Sequence, residues 1–370
     1  MSNIIDYLTW RGDIPLASMP FNAADNLVLS LLAYILFENV MSKDDKLTVR
    51  QAAIKLSGRS NDFGVMRSDN TRLLRELSSG TRFWDAMICH CVNEIDMNEE
   101  KQFAAITICL DDGTCFIAYR GTDNTLIGWK EDFNLSFISP VPAQTASAQY
   151  LRDVAEQTAS TIRIGGHSKG GNLAIYAASQ CDPAIQDRII AVYSNDGPGL
   201  DDATFMSEGY ARIKDRFFSY VPQSSIIGML LQHQENYAVV TSRAIGLFQH
   251  HPYTWQVNRA GFDIVDAIRP GSRYVDTTLK NWLSSVSVDK RMVFVDTLYA
   301  VLSATNATTL QGLTVQWWKN AYVMLMKIRD IDSQTRKLII GVLIELVKAA
   351  VGSRTSVTPQ VHQSNDTSPQ

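Results

Sequence analysis

The chain has 370 residues, 45% of them hydrophobic and 19% charged, with a formal net charge of −4. That length holds one large α/β domain or two smaller ones with a sizeable core, and the mildly acidic balance offers no basic field for nucleic acid. Five cysteines (Cys89, Cys91, Cys109, Cys115 and Cys181) lack zinc-ligand spacing and read as reduced, mostly buried thiols. No apolar run approaches the roughly 20 residues of a transmembrane helix. The first residues, Met1 to Asp6, show no basic stretch followed by an apolar core, so no secretory signal and a cytoplasmic location are expected.

In chain order, residues 1 to 22 carry Trp10-Arg11-Gly12-Asp13 with Pro15 and Pro20 and read as an extended lead-in. A helix is expected from Ala23 to Val40, with Asn22 as its N-cap and Leu27, Leu31, Tyr34 and Ile35 on its apolar face. Residues 46 to 79 alternate helical patches with Gly/Ser/Asn/Asp breaks and read as a helical insertion or cap. A hairpin follows, Gln102 to Cys109 and Thr114 to Tyr119, around Asp111-Asp112-Gly113. Its second strand ends in Arg120-Gly121-Thr122-Asp123, at the kind of strand edge where α/β folds bind ligands.

A helical turn at Trp129 to Phe133, a helix over 143–160 and a strand from Thr161 come next. Strands are expected again at Arg188 to Ser194, Arg216 to Val221 and Tyr237 to Thr241. Strands alternating with helices predict a mostly parallel sheet covered on both faces. From about Tyr274 the pattern becomes successive amphipathic helices (274–285, 289–304, 309–328 and 333–351), and the Ser/Thr/Pro-rich residues 352–370 read as a disordered tail. No internal repeat is present. The expected division is 1–272, 273–351 and 352–370.

Between the strand at Thr161 and an apolar-faced helix lies Gly166-His167-Ser168-Lys169-Gly170, the G-x-S-x-G pattern of a nucleophile elbow. A serine at such a turn projects its hydroxyl clear of the sheet. The positions two before and two after must be nearly free of side chain, because strand and helix backbones pass close together. A serine nucleophile needs a base, and the base needs an orienting acid. His167 reads as packing support, His362 lies in the tail, and His90 precedes the sheet. His233, His250 and His251 remain, and the last two follow the final predicted strand, where the chain order Ser, acid, His puts a base. Asp196 closes the strand after the elbow helix and is the candidate acid, with Asp201 and Asp202 a few residues on. The oxyanion donors are expected from the amide of Lys169 and from the Gly121-Thr122 loop. The Lys169 side chain reads as either outward-facing or drawing an anionic substrate. No metal constellation or dinucleotide fingerprint is present, and no cofactor is expected.

Tyr119 to Thr122, Trp129 to Phe133 and Gly166 to Ala174 together resemble the class 3 (fungal-type) lipase family of α/β hydrolases. Over residues 1 to 260 the chain resembles more closely the bacterial Mbeg-like family of lipase-like proteins. That likeness rests on Asp6 to Asp13, Pro20-Phe21-Asn22, Gly128 to Phe133, Val221 to Gly228, and Gln249-His250 with Pro252 to Trp255. The resemblance implies an α/β-hydrolase fold with a mostly parallel central sheet, an N-terminal helical insertion and a C-terminal helical region. It implies Ser168 as nucleophile, Thr122 in the oxyanion loop and His250 as base. Two positions depart from the lipase pattern. Lys169 stands where lipases carry leucine, and the position of their acid, after the strand ending in Val221, holds Ser224 or Ser225. Either the acid has moved one strand earlier, to Asp196, or the triad is incomplete.

The function expected is a serine esterase acting on a small-molecule or lipid ester, with peripheral membrane contact as an open possibility. The alternatives are a lipase-like binding protein without full activity, and a thioesterase or peptidase on the same fold.

Overall fold

The computed structural model describes residues 2–42, 45–59, 63–123, 125–135, 138–225, 227–229, 237–244, 246–265, 288–305, 317–329, 333 and 336–337. Asparagines start the first two helices. Asn3 caps α1 (Ile4–Arg11) and Asn22 caps α2 (Ala23–Leu32), while Asp6 and Asp25 bond back to the cap amides. The expectation of an extended lead-in is therefore corrected: Asn3-x-x-Asp6 is a capping box that opens a helix. α2 stops at Leu32, short of the expected Val40, and the chain turns through a 3-10 segment at Phe37–Asn39.

Strand β1 (Leu47–Thr48), helices α3 (Val49–Leu56) and α4 (Arg67–Ser79), and strand β2 (Met87–Asp96) precede the expected hairpin, which is β3 (Lys101–Cys109) and β4 (Thr114–Tyr119). Then come α5 (Leu126–Leu135), α6 (Pro142–Gln157), β5 (Thr161–His167), α7 (Lys169–Gln180), α8 (Pro183–Gln186) and β6 (Ile189–Asn195). The first compact unit continues with α9 (Asp202–Phe205), α10 (Glu208–Ile213), β7 (Phe217–Pro222), β8 (Tyr237–Val240), β9 (Val257–Asn258), β10 (Gly261–Phe262) and β11 (Ile264–Val265). The sheet order is β1-β2-β3-β4-β5-β6-β7-β8-β11, with β9 and β10 paired apart from it.

The sheet is mixed. From β4 to β8 neighbours are parallel, whereas β1 to β4 and the β8–β11 pair are antiparallel. Strands β4 to β8 are consecutive in sequence and in space. Right-handed crossovers that all step the same way lie on one face, and α6, α7 and α10 do so. They bury Leu151, Val154, Leu173 and Ile213 against Ile117, Ile164 and Val192; each fully buried aliphatic side chain is worth about 1.5–3 kcal/mol.

Among the described residues the other face receives no crossover helix, and α2 covers it. Every residue from Ala24 to Leu32 is buried, the signature of a helix enclosed on all sides. The N-terminal helical segment is thus the second layer of the fold. Close approach of α2 needs Gly165, since a Cβ there would fall 2.8 Å from Asn26 Oδ1 and 3.0 Å from Ser30 Oγ. Asn26 in turn exchanges side-chain hydrogen bonds with Asn195 at the end of β6, at 2.8 and 3.2 Å.

The chain divides into two compact units, Met1–Arg291 and Met292–Gln370. Helices Val288–Ser303 and Trp317–Arg329 correspond to the expected 289–304 and to part of 309–328. Residues 274–285, nearly all of 333–351 and the tail 352–370 lie outside the described residues. Among the described residues no helix is long and apolar enough to cross a membrane.

A buried ion pair fixes the start of the second layer. Arg82 donates to both oxygens of Asp25, at 2.8 and 2.5 Å, and to the carbonyls of Ile14 and Met19, while Tyr7 donates to Asp25 Oδ1. Both side chains are almost wholly enclosed. Removing one member of such a pair strands the other charge. Arg82→Met is expected to lose about 3–5 kcal/mol of unfolding free energy, measured by urea denaturation of the full chain.

Candidate active site

The turn from β5 into α7 is strained at a single residue. Ser168 has φ 59° and ψ −133°, a backbone that a side-chain-bearing residue adopts only when its surroundings enforce it. The crowding is explicit. A Cβ on Gly166 would lie 2.2 Å from the Gly170 carbonyl carbon, and one on Gly170 would lie 2.2 Å from the Tyr119 carbonyl oxygen. Gly171 and Gly165, flanking the motif, are as tightly placed: a Cβ on Gly171 would meet Ser194 Oγ at 2.5 Å.

The described structure brings three side chains of the sequence reading together. His250 Nε2 lies 3.0 Å from Ser168 Oγ, and His250 Nδ1 lies 2.7 Å from Asp196 Oδ2. Asp196 is 1% exposed and the His250 side chain 29%. Asp196 sits at the end of β6, beside β5 in the parallel register that pairs His167 with Asn195. Its second oxygen accepts from Ser225 Oγ at 2.5 Å and from the Gly228 amide at 3.2 Å. Ser225, near the place where lipases carry their acid, thus orients a carboxylate contributed by the neighbouring strand.

His250 is held through its backbone. His167 Nε2 donates to the His250 carbonyl at 2.8 Å, and His167 Nδ1 accepts from the Tyr34 hydroxyl at 3.0 Å. Burial, with the His250 charge adding to it, holds His167 well below the ordinary histidine range, so it stays neutral with the proton on Nε2. Gln249 completes the clamp: its side chain accepts from the Ser224 amide and donates to the Ala244 carbonyl, and its own carbonyl accepts from the Trp255 indole. The reading of His167 as packing support did not name this hydrogen-bonding role. The signal available in the sequence was its place beside Ser168.

Gly121 lies against the elbow, where a Cβ would come within 3.1 Å of Ser168 Cβ, so the Thr122 backbone stands beside the serine. The Thr122 hydroxyl donates to Asp132 Oδ2. Lys169 supplies the first amide of α7, one of those a helix leaves without an internal partner. Its side chain corrects both expectations, being neither exposed nor available to an anionic substrate. Nζ is enclosed and donates to the Gln102 carbonyl, Gln102 Oε1 and Glu131 Oε2 at 2.8, 2.7 and 2.8 Å. Glu131 also accepts from the amides of Gln102 and Ala143. Lysine in place of the lipase leucine therefore ties α7 to α5 through an internal charge pair. Asp132 and Glu131 were legible only as letters of the Gly128 to Phe133 motif.

The remaining candidates lie elsewhere. His251 Nε2 faces Asp69 at 3.8 Å, Asp201 caps α9, and His90 belongs to β2. His233 and His362 lie outside the described residues. Among the described residues, no group of histidine, cysteine, aspartate or glutamate side chains is arranged to hold a metal ion.

A mixed sheet, parallel at its centre and layered by helices, with a strained serine at the turn from a central strand into its helix, defines an α/β-hydrolase fold. Within that class the chain belongs to the Mbeg1-like family, whose model matches residues 77–300. No curated protein matches the sequence. Among solved structures it is similar to the lipase of Rhizomucor miehei in its propeptide complex, at 15% identity and a TM-score of 0.37, over 66% of this chain and 74% of that one. The lipase from Rhizopus microsporus var. chinensis is similar at 13% identity and a TM-score of 0.32, over 63% and 86% of the two chains.

Asp132 gives the site a pH signature. Burial pushes its carboxyl up to about 6, against the opposing pull of Lys169 and the Thr122 hydrogen bond, and its Oδ1 is buried without a hydrogen-bond partner. A raised carboxyl favours the folded state fully only below its ordinary value of 3.8, and that contribution is lost as pH rises through about 6. Asp132→Asn removes this dependence. Relative to wild type, the variant is expected to gain on the order of 2 kcal/mol in unfolding free energy between pH 4 and pH 7, measured by urea titrations across that range.

Proposed function

We propose that this protein is a serine hydrolase of carboxylic esters in which Ser168 is the nucleophile, His250 the general base and Asp196 the orienting acid. One observation carries the reading: the unbroken line from Ser168 Oγ to His250 Nε2 at 3.0 Å and from His250 Nδ1 to Asp196 Oδ2 at 2.7 Å. Donation from Nδ1 to the enclosed carboxylate leaves the Nε2 lone pair facing the serine hydroxyl.

In the first half-reaction Ser168 Oγ attacks the ester carbonyl carbon and its proton passes to His250 Nε2. The carbonyl oxygen becomes an oxyanion, which the Lys169 amide and the Thr122 side of the loop stabilise. The positive end of α7 adds to the same field. His167 remains neutral, so the proton stays on His250 and is delivered to the alkoxide as the ester C–O bond breaks, leaving the acyl group on Ser168. Water, deprotonated by His250, then attacks the acyl carbon and releases the acid and free Ser168. The substrate class proposed is an ester with an apolar acyl group. Phe248, 53% exposed and two residues before the base, supplies apolar surface beside the site.

A fluorophosphonate probe is expected to label the wild-type protein at Ser168 and to leave Ser168→Ala unlabelled. Equal labelling of the two removes the nucleophile assignment. Asp196→Asn, isosteric with the native residue, is expected to lower kcat on p-nitrophenyl acyl esters by about 10³–10⁴-fold with little change in KM. An Asp196→Asn enzyme as active as wild type removes the acid assignment.

A further inference from the structure

Three of the five cysteines form a row across β2, β3 and β4. The Sγ atoms of Cys109 and Cys115 are 3.2 Å apart, and those of Cys89 and Cys109 are 3.9 Å apart. Cys89 and Cys115 are 3% and 2% exposed, whereas Cys109, between them, is half-buried and reaches solvent. The row sits where β4 begins, next to the Asp111-Asp112-Gly113 turn. β4 runs parallel to β5, whose far end carries the elbow, so the row lies at the opposite end of the strands from Ser168.

Strand register decides which thiols can join. Cys109 and Cys115 are direct cross-strand partners. The adjacent pair, Leu110 and Thr114, is linked by the Leu110 amide to the Thr114 carbonyl at 2.8 Å. Bonded and non-bonded pairs alternate, so Cys109 and Cys115 form a non-hydrogen-bonded pair, with Cα atoms about 4.5 Å apart and side chains close. That spacing falls inside the range a disulfide spans, about 4.4–6.8 Å. Cys89 pairs with Thr107 and is only a diagonal neighbour of Cys109, at the larger spacing of about 7–8 Å.

We propose that Cys109 and Cys115 are a reversible oxidation site, a dithiol that peroxide converts to a cross-strand disulfide, with Cys109, the thiol that reaches solvent, attacked first. Cys109, its proton lost to solvent, attacks a peroxide oxygen as the thiolate; the S–O bond forms, the O–O bond breaks, and the departing hydroxide takes up a solvent proton to leave as water. The Cys115 sulfur then attacks the Cys109 sulfenic sulfur; the S–S bond forms, the S–O bond breaks, and hydroxide leaves with the Cys115 proton as a second water. In sum, two thiols and one hydrogen peroxide give one disulfide and two waters.

Access agrees with these roles: Cys109 reaches solvent while Cys89 and Cys115 are enclosed, so peroxide meets Cys109 first. The bond from Cys109 lowers the Cys89 thiol below its ordinary range, against burial, and a thiolate so stabilised is too weak a base to draw the Cys109 proton, which passes to solvent. Cys181 bonds instead to the Ala178 carbonyl and serves as an internal control.

The test treats the reduced full-length protein with stoichiometric hydrogen peroxide, blocks remaining thiols with iodoacetamide and maps the peptides by non-reducing mass spectrometry. A Cys109–Cys115 cystine that dithiothreitol reverses, with Cys181 alkylated, is the expected result. Cys89→Ser is expected to leave the bond in place, and Cys115→Ser to leave a dimedone-reactive sulfenic acid at Cys109. Alkylation of Cys109 and Cys115 after peroxide, or a Cys89–Cys109 bond instead, overturns the proposal. The wild-type map decides the matter even if a serine variant fails to fold. Labelling of Ser168 by a fluorophosphonate is expected to be unchanged by oxidation, so this site stands or falls apart from the esterase reading.

Discussion

The architecture turns on the room available at one corner. β5 and α7 must pass within contact of each other and of the end of β4, and the Gly166–Gly170 and Gly170–Tyr119 approaches leave no space for a Cβ. That closeness enforces the left-handed backbone of Ser168. It also brings the Arg120-Gly121-Thr122 loop alongside the serine, so one steric condition sets the positions of the hydroxyl and of the loop that faces it. The Lys169–Glu131 pair then holds α5 against the same corner from within. A buried pair of this kind is a costly tie unless its hydrogen bonds are satisfied; the Gln102 groups and the Ala143 amide satisfy most of them.

The proposed base is positioned from the nucleophile's own strand. His167 immediately precedes Ser168, and its imidazole grips the His250 carbonyl. The two residues of the reacting pair therefore share a support only one residue away from the serine. The carboxylate follows the same economy of distance, because β6 is the next strand in the sheet and Asp196 leaves it one position past Asn195. Ser225 and Gly228, one strand further, keep a polar grip on that carboxylate instead of providing one.

Much of this was legible in the residues because local chemistry demanded it. The elbow glycines, the Asp-Gly hairpin and the Asn22 cap each answer a short-range requirement. Chain order and strand ends narrowed the candidates to Asp196 for the acid and to His250 or His251 for the base, and the family resemblance favoured His250. What the sequence hid was long-range. α1 was missed because prolines and Trp10-Arg11-Gly12-Asp13 outweighed the Asn3–Asp6 box. β2 was missed because its polar half, Asn93 to Asp96, lacks a continuous apolar signal. The fate of the Lys169 side chain was unreadable, since its partners Gln102 and Glu131 are separated from it by 67 and 38 positions. The parallel character of the sheet was foreseen for its centre, and the antiparallel flanks follow from hairpin pairing before β4 and from the return of β11 along β8.

The in-sequence order of β2 to β8 has a consequence for how the chain acquires its shape. Each strand docks on the one made just before it, so every ordering step closes a loop of modest length, and closure entropy grows slowly across such steps. A chain leaving the ribosome can therefore extend the sheet from one edge without waiting for a distant partner. α2, emerging before any strand, is already at hand to cover the exposed face as β4 and β5 arrive. Ser168 takes up its place early in this progression. The segment bearing His250 comes only after β8, so Ser168 stands without His250 beside it until nearly the whole first unit has been synthesised.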